Sequence, residues 1–287
     1  MQSNHYVVIS VDEKAAFQTE SGIFLRTDLG NSFENVHQFG RVVCAPEDVE
    51  LKEGEKVWFH HTLIDDKLTN KRSVYNWKFK QIPNTTYICP RPSKNKMEGK
   101  VGWDWWILAT GEWGELKPFQ DFIIAKPVTK KKVNEFDVLD KEDENLVEVI
   151  ASKDYPKGTI LLKNTNGDYP LEWNNEKVMF FRPKWDKGWG VQNYVMGVYK
   201  DGDIDPVDGV TFVEPIDTDD FEEVGGIWLK KKVKASYGSA KVIKTTHPDL
   251  KEGDVVMQDK SDWNEVEVDG KTFHAISNYK IWGIYDN

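Results

Sequence analysis

Histidine and cysteine are the side chains in this sequence that could bind a metal or transfer protons in a reaction. His60 and His61 are adjacent, so on a β-strand their side chains would point to opposite faces, and His37 lies well before them. The only cysteines, Cys44 and Cys89, are far apart and form no Cys-x-x-Cys pair of the kind that a zinc site needs. None of these residues is accompanied by a nucleophile or a carboxylate at a spacing typical of a catalytic or metal site. We therefore interpret the histidines as ordinary strand residues and predict that the chain is not an enzyme, with no metal and no cofactor.

Two tryptophan clusters could form a different kind of site, in which aromatic rings stack on a sugar. They are Trp103-Asp104-Trp105-Trp106 and Trp185-Asp186-Lys187-Gly188-Trp189. Each cluster stands where an apolar strand is predicted to begin, and large aromatic side chains commonly pack at barrel ends or in subunit contacts. We favour packing or an interface, and sugar binding stays open as the alternative.

Two apolar triplets that follow glycine are the residues best suited to binding another protein. They occur in Ser21-Gly22-Ile23-Phe24-Leu25 and in Gly225-Gly226-Ile227-Trp228-Leu229. A loop with a glycine hinge can present apolar side chains to a partner, and the cost of ordering the loop keeps such binding reversible. The alternative is that each triplet is an ordinary core strand.

Length and composition limit the possible partners. A chain of 287 residues is long enough for several cores, since the most common domain size is about 100–150 residues. The formal net charge of −10 argues against a nucleic-acid partner, because phosphates require a basic face. The sequence begins with no basic leader and contains no apolar run of about 20 residues, so we expect neither export nor membrane insertion. The scarcity of cysteine fits a reducing, cytoplasmic location.

The elements that must position these residues form a pattern that occurs three times. The opening strands are Tyr6-Val7-Val8-Ile9-Ser10-Val11, Phe122-Ile123-Ile124-Ala125-Lys126-Pro127 and Val210-Thr211-Phe212-Val213-Glu214-Pro215. The closing strands are Trp106-Ile107-Leu108-Ala109, Tyr194-Val195-Met196-Gly197-Val198-Tyr199 and Lys280-Ile281-Trp282-Gly283-Ile284-Tyr285. Such short runs between Gly, Pro, Asn and Asp, without a sustained helical period, predict an all-β chain.

A glycine turn recurs between the opening and closing strands. It is Lys52-Glu53-Gly54 in the first segment, Pro156-Lys157-Gly158 in the second and Lys251-Glu252-Gly253 in the third. Glycine suits a reversal between antiparallel strands because it takes a positive φ at little cost. The second segment has no glycine-apolar triplet, and Phe136-Asp137-Val138-Leu139 is its nearest substitute. We predict three domains at 1–112, which carries insertions, 117–202, which is degenerate, and 207–287.

This order of elements resembles that of the GroES-like (chaperonin-10) co-chaperonins. The resemblance is close over Asp208 to Asn287, includes insertions in the first segment and is limited to the strand framework in the second. It implies three tandem GroES-like small β-barrels. It also implies that a mobile loop in the first and third segments binds the chaperonin through Gly22, Ile23, Phe24, Leu25, Gly225, Gly226, Ile227, Trp228 and Leu229. The hairpin that roofs the family's dome is reduced here to short connections, as in co-chaperonins of large tailed phages, which implies a viral origin.

The function implied by the resemblance is that of a co-chaperonin. Such a protein forms a homo-oligomeric ring, caps a GroEL-type chaperonin ring of the host or phage and leaves ATP hydrolysis to that partner. Family rings hold seven barrels, so a chain of three barrels gives one to each of three tiers or uses another symmetry. The alternative is a phage virion structural or assembly protein, such as a connector or tail ring component, whose partners are virion proteins. A zinc alcohol dehydrogenase, which also contains a GroES-like barrel, is excluded because the sequence lacks Gly-x-Gly-x-x-Gly and a cysteine-rich site.

Overall fold

A computed structural model of the chain describes residues 6–10, 17–18, 24–25, 38–60, 86–90, 107–133, 138–164, 168–173, 176–186, 191–200, 203–216, 221–224, 227–230, 237–259, 264–268 and 271–285. Within these ranges the regular elements are β-strands and two single-turn 3-10 helices, Trp113–Glu115 and Asn278–Lys280. No helix in the described ranges is long and apolar enough to cross a membrane.

The strands follow one another at short intervals along the chain. The first eight are β1 (Tyr6–Ser10), β2 (Phe17–Gln18), β3 (Phe24–Leu25), β4 (Phe39–Cys44), β5 (Lys56–Phe59), β6 (Thr86–Pro90), β7 (Ile107–Thr110) and β8 (Lys117–Pro118). The next nine are β9 (Ile123–Val133), β10 (Val138–Ala151), β11 (Ile160–Lys163), β12 (Tyr169–Trp173), β13 (Glu176–Phe181), β14 (Lys184–Asp186), β15 (Val191–Asn193), β16 (Val195–Lys200) and β17 (Asp203–Pro206). The last eight are β18 (Val210–Pro215), β19 (Phe221–Val224), β20 (Ile227–Lys230), β21 (Tyr237–Thr245), β22 (Val255–Asp259), β23 (Asn264–Val268), β24 (Lys271–Ser277) and β25 (Ile281–Ile284).

Most of these strands belong to three principal antiparallel sheets. The first sheet has the strand order β6-β1-β4-β5-β7-β8, and the third has the order β23-β24-β18-β21-β22-β25. The second sheet includes the pairs β12–β13, β10–β11, β11–β16 and β16–β17. The prediction of an all-β chain is therefore confirmed. In the described residues none of the three sheets closes into a barrel, so the tandem barrels remain a prediction.

The three sheets share one register of strand pairing. In each sheet the closing strand, which is β7, β16 or β25, pairs with the strand that follows the glycine turn. A β-bulge interrupts this pairing at the same place, between Trp58 and Phe59, Leu162 and Lys163, or Met257 and Gln258. The residues opposite the first member of each bulge pair are Ala109, Gly197 and Gly283. The repeat seen in the sequence thus corresponds to a repeat of backbone pairing.

The predicted glycine turn is present in all three sheets with the same hydrogen bond. Positive φ angles of 80°, 87° and 92° occur at Gly54, Gly158 and Gly253. The amide of each glycine donates to a valine carbonyl on the preceding strand, and these carbonyls belong to Val42, Val149 and Val242. In the first and third turns an acidic side chain also accepts a bond from the lysine amide, at 2.9 Å from Lys52 to Glu55 and 2.7 Å from Lys251 to Asp254. Glycine is required here because a side chain at positive φ would be strained.

The chain divides into two compact units. The first comprises Met1–Ile124, Ala151–Asp154 and Tyr169–Phe180, and the second comprises Ala125–Ile150, Tyr155–Asp168 and Phe181–Asn287. The core of the first unit is built by Val7, Ile9, Val42, Leu51, Val57, Phe59, Ile107 and Phe119. In the second unit one core cluster contains residues from both the second and third predicted segments, namely Leu146, Leu162, Met196, Ile204, Val210, Phe212 and Ala275. The boundaries at 1–112, 117–202 and 207–287 remain a prediction.

Candidate docking hairpins

The third-segment triplet lies in a hairpin that is separate from the principal sheets. β19 and β20 pair in antiparallel fashion, with Val224 opposite Ile227, and form a two-stranded sheet of their own. Ile227, Trp228 and Leu229 are all in β20, whereas Gly225 and Gly226 lie outside the described residues. A connection of two glycines is typical of tight hairpins, since both central residues of a type I′ turn need a positive φ.

Two residues of the first-segment triplet, Phe24 and Leu25, lie in a corresponding pair of strands. β2 and β3 pair with Phe17 opposite Leu25 and Gln18 opposite Phe24. Phe24 and Leu25 are therefore in β3, and Gly22 and Ile23 lie outside the described residues. In chain order this hairpin stands between β1 and β4, and β19–β20 stands between the equivalent strands β18 and β21. A core strand would belong to a principal sheet, and among the described residues neither β3 nor β20 does. Docking by the triplets stays a prediction.

The second segment has a different element at this place. β9 ends at Val133 and β10 begins at Val138, so only residues 134–137 separate two long strands. Of the proposed substitute, Val138 and Leu139 begin β10, and Phe136 and Asp137 lie outside the described residues. No separate two-stranded hairpin interrupts the described chain between β9 and β10.

Two exposed side chains of the third sheet, Ile216 and Tyr285, are linked through Ser239. Ile216 directly follows β18 and is 50% exposed, and its amide donates to the carbonyl of Ser239 on β21 at 3.0 Å. The hydroxyl of Ser239 lies 3.1 Å from that of Tyr285, which is also exposed.

Lys56 and Trp58 on β5 make polar and aromatic contacts that stabilise the fold. Lys56 donates to the Glu112 carboxylate at 2.7 Å, and its ammonium lies 4.7 Å from the centre of the Phe39 ring. The Lys56 hydrogen bond lowers the pKa of the exposed Glu112 carboxyl. The buried Trp58 indole donates to the carbonyl of Gly111 at 2.9 Å. These contacts hold Gly111 and Glu112, which follow β7, against β5.

Cys44, Tyr194 and His60 are described side chains of the kinds that act as nucleophiles or metal ligands. Burial raises the pKa of the Cys44 thiol and of the Tyr194 phenol, so both stay protonated at neutral pH. The His60 ring lies 4.1 Å from that of Tyr169, in an aromatic contact, and His61 lies outside the described residues. Across the ranges that the structure describes, no three His, Cys, Asp or Glu side chains are grouped so that they could hold a metal ion.

Two features of the structure were not predicted from the sequence. One is the outer edge of β25, where Trp282, Ile284 and Tyr285 are 54%, 47% and 47% exposed. The only sequence signal was Gly283, which repeats the glycine of the second closing strand. The other is the tilted contact between the Trp58 and Trp113 rings, whose centroids lie 5.0 Å apart, since these two were not among the predicted tryptophan clusters. Of those clusters Trp185 is in β14, and the choice between packing and sugar binding stays open.

No protein-family model matches the chain, and comparison with curated proteins gave no match.

Proposed function

We propose that the chain is a ring-forming co-chaperonin that docks on a chaperonin through the hairpins β2–β3 and β19–β20. The observation that carries this proposal is the position of the hairpins. Each contains the described residues of one apolar triplet, Phe24 and Leu25 or Ile227 to Leu229, both stand between the same two strands of a repeated sheet, and both pair apart from the principal sheets. The proposal takes each principal sheet as the framework of one GroES-like barrel, and it places the protein in the cytoplasm.

The binding energy of one hairpin determines whether such a protein needs several hairpins to bind its partner. Burial of a Leu, Ile or aromatic side chain contributes about 1.5–3 kcal/mol, so a triplet supplies about 5–9 kcal/mol. Association costs about 4–15 kcal/mol in lost freedom, so a single hairpin binds weakly. Several hairpins on one assembly bind together with far higher affinity, because each later contact is intramolecular. ATP-driven changes in the chaperonin can then release all of them together.

The test is nucleotide-dependent binding to the host chaperonin, measured by surface plasmon resonance with and without ATP. Ile227→Asp and Ile23→Asp place a charge in the triplets and should each weaken binding by at least about 30-fold, which corresponds to about 2 kcal/mol. Lys157→Asp, which changes the charge of an exposed turn in the second sheet, is the matched control and should bind like the unaltered protein. Failure of the unaltered protein to bind in any nucleotide state would overturn the proposal.

A second candidate is a structural or assembly protein of a phage virion, such as a connector or tail ring component. The observation that favours it is the row of exposed apolar side chains on β25, which fits a permanent neighbour better than a reversible one. Mass spectrometry of purified particles tests it. Stoichiometric presence of the chain in particles, together with no chaperonin binding, would favour this candidate over the first.

A further inference from the structure

A tight turn at residues 207–210 connects β17, which pairs at the end of the second sheet, to β18, which opens the third. Within it the Val210 amide donates to the Val207 carbonyl at 3.1 Å. The Val207 amide donates to the carbonyl of Met196 on the closing strand β16 at 3.2 Å. Gly209 has a φ of 83°, which a residue with a side chain rarely adopts. The connection is therefore an ordered turn with a conformation of its own.

The peptide groups on either side of Gly209 are held from both segments. From the second segment, the buried side chain of Asn193 donates to the Gly209 carbonyl at 3.1 Å. From the third segment, the amide of Asn278 donates to the same carbonyl at 2.8 Å. The Gly209 and Val210 amides donate to the hydroxyl oxygen of Thr246 at 3.0 and 3.2 Å. Loss of one partner would leave part-buried groups unsatisfied, so this network resists opening of the turn.

The strand before the turn is attached to both segments as well. β17 pairs with β16 of the second segment, with Pro206 opposite Gly197. From the third segment, Lys244 on β21 donates to the Asp203 carboxylate at 2.6 Å and to that of Asp205 at 3.1 Å. β17 thus bonds through its backbone to one segment and through its side chains to the other.

One apolar core cluster contains residues from both segments and from β17. Leu162 and Met196 of the second segment, Ile204 of β17 and Phe212 of β18 all belong to it, and each is at most 3% exposed. At Gly197 a Cβ atom would lie 2.6 Å from the Ile204 side chain and 3.0 Å from the Phe212 ring. Glycine is needed there because β17 and β18 pack so close to β16. Separation of the two segments would therefore expose apolar side chains of both.

We infer that residues 203–210 form a rigid joint that makes the second and third segments one cooperative body. Domains in tandem ordinarily move about their linker and open separately, because few contacts cross the boundary. Here the connecting strand, the turn and the core each contain contributions from both segments, so neither segment opens without the other. A partner that binds the third segment consequently displaces both segments together. This inference goes beyond the proposed function and is independent of chaperonin docking.

The test is native-state hydrogen exchange at increasing urea concentration, with the amides of each sheet followed separately. Leu250 is buried in a core cluster whose members all come from the third segment, so Leu250→Ala destabilises that segment. The amides of β22 should then lose protection by at least about 30-fold. In one cooperative body the amides of β11 in the second sheet lose protection by the same factor, whereas those of β5 in the first unit keep theirs.

The comparison between sheets decides the inference. It is overturned if β11 exchanges in Leu250→Ala as in the unaltered protein, or if β5 loses as much protection as β11. Val256→Ala, in the same third-segment cluster, is a milder second variant. It should show the same equality between β22 and β11 with a smaller loss, so the test does not depend on the folding of Leu250→Ala.

A second measurement addresses the turn itself. Thr246→Val keeps the shape of the side chain and removes the hydroxyl, so the Gly209 amide should exchange at least about 10-fold faster. Thr272→Val makes the same change at an exposed position of β24 and is the matched control, in which the Gly209 amide should exchange as before. Equal exchange of this amide in Thr246→Val and the unaltered protein would show that the turn is not held by the network, and would overturn the rigid joint.

Discussion

Replacement of Gln258 by methionine is expected to make the protein more stable. Gln258 is fully buried on β22, and neither its side-chain nitrogen nor its oxygen has a hydrogen-bond partner in the part of the chain that the structure describes. The equivalent residues beside the bulge are Phe59 in the first sheet and Lys163 in the second, and both are buried. Phe59 needs no polar partner, and Lys163 has one in Asp168, 3.3 Å away. Among the described residues, only the third sheet has at this position a buried polar side chain without a hydrogen-bond partner.

The size of the effect follows from the two unsatisfied atoms. A buried polar group without a partner costs about 1–3 kcal/mol, and methionine has a similar length and no strong donor or acceptor. Repacking around the new side chain costs less than about 1.5 kcal/mol when volume is conserved. We therefore expect Gln258→Met to raise the free energy of unfolding by up to about 3 kcal/mol, the larger gain requiring little repacking.

The assay is urea unfolding followed by far-UV circular dichroism, with a separate transition allowed for each compact unit. Gln258→Glu is the matched control. It should destabilise the protein, and more strongly at neutral than at acidic pH, because a buried carboxylate costs most when ionised. A loss of stability in Gln258→Met of 1 kcal/mol or more would refute the reasoning, since it would mean that the amide holds the fold together.

Three other predictions concern single contacts. Asp168→Ala should lower the free energy of unfolding by about 3–5 kcal/mol, since the buried ammonium of Lys163 loses its ion-pair partner and keeps only the Asn164 carbonyl at 3.5 Å. Lys163→Met in the same chain should recover most of that loss, and purely additive effects would contradict this. Gly253→Ala should cost about 1–2 kcal/mol in urea, because its φ is 92°, and an unchanged midpoint would show that the turn is not constrained. Lys56→Met should return the lowered pKa of the Glu112 carboxyl to its ordinary range in an NMR titration, and equal values in both proteins would count against the hydrogen bond. The stabilisation from this carboxylate is present above its unfolded pKa and is lost as the pH falls through its lower folded pKa.

The features that could be predicted from the sequence depend on local patterns. The opening and closing strands were found because short apolar runs recur between turn residues. The turns at Gly54, Gly158 and Gly253 were found because glycine has a specific conformational role there. β6 was not predicted, since its pairing with β1 joins Val7 to Cys89 across a long stretch of chain that gives no local signal.

The candidate sites show the same limit. The triplets could be located from their glycines and apolar residues, and the structure adds that they pair in separate hairpins. The edge of β25 could not be found, because Gly283 differs from Gly197 only in what surrounds it. The buried pair of Lys163 and Asp168 was also missed, since a lysine at the end of a strand is usually exposed.

Because the three segments lie in one chain, a substitution in one segment leaves the sequences of the other two unchanged. In a ring of identical single-domain subunits, every substitution is repeated at every position around the ring. In this chain one structural position holds phenylalanine, lysine or glutamine, and two segments carry a separate hairpin where the middle one has the continuous strands β9 and β10. Each segment can therefore acquire its own task while the shared register is kept, and a single chain can hold equivalent positions that are chemically unequal.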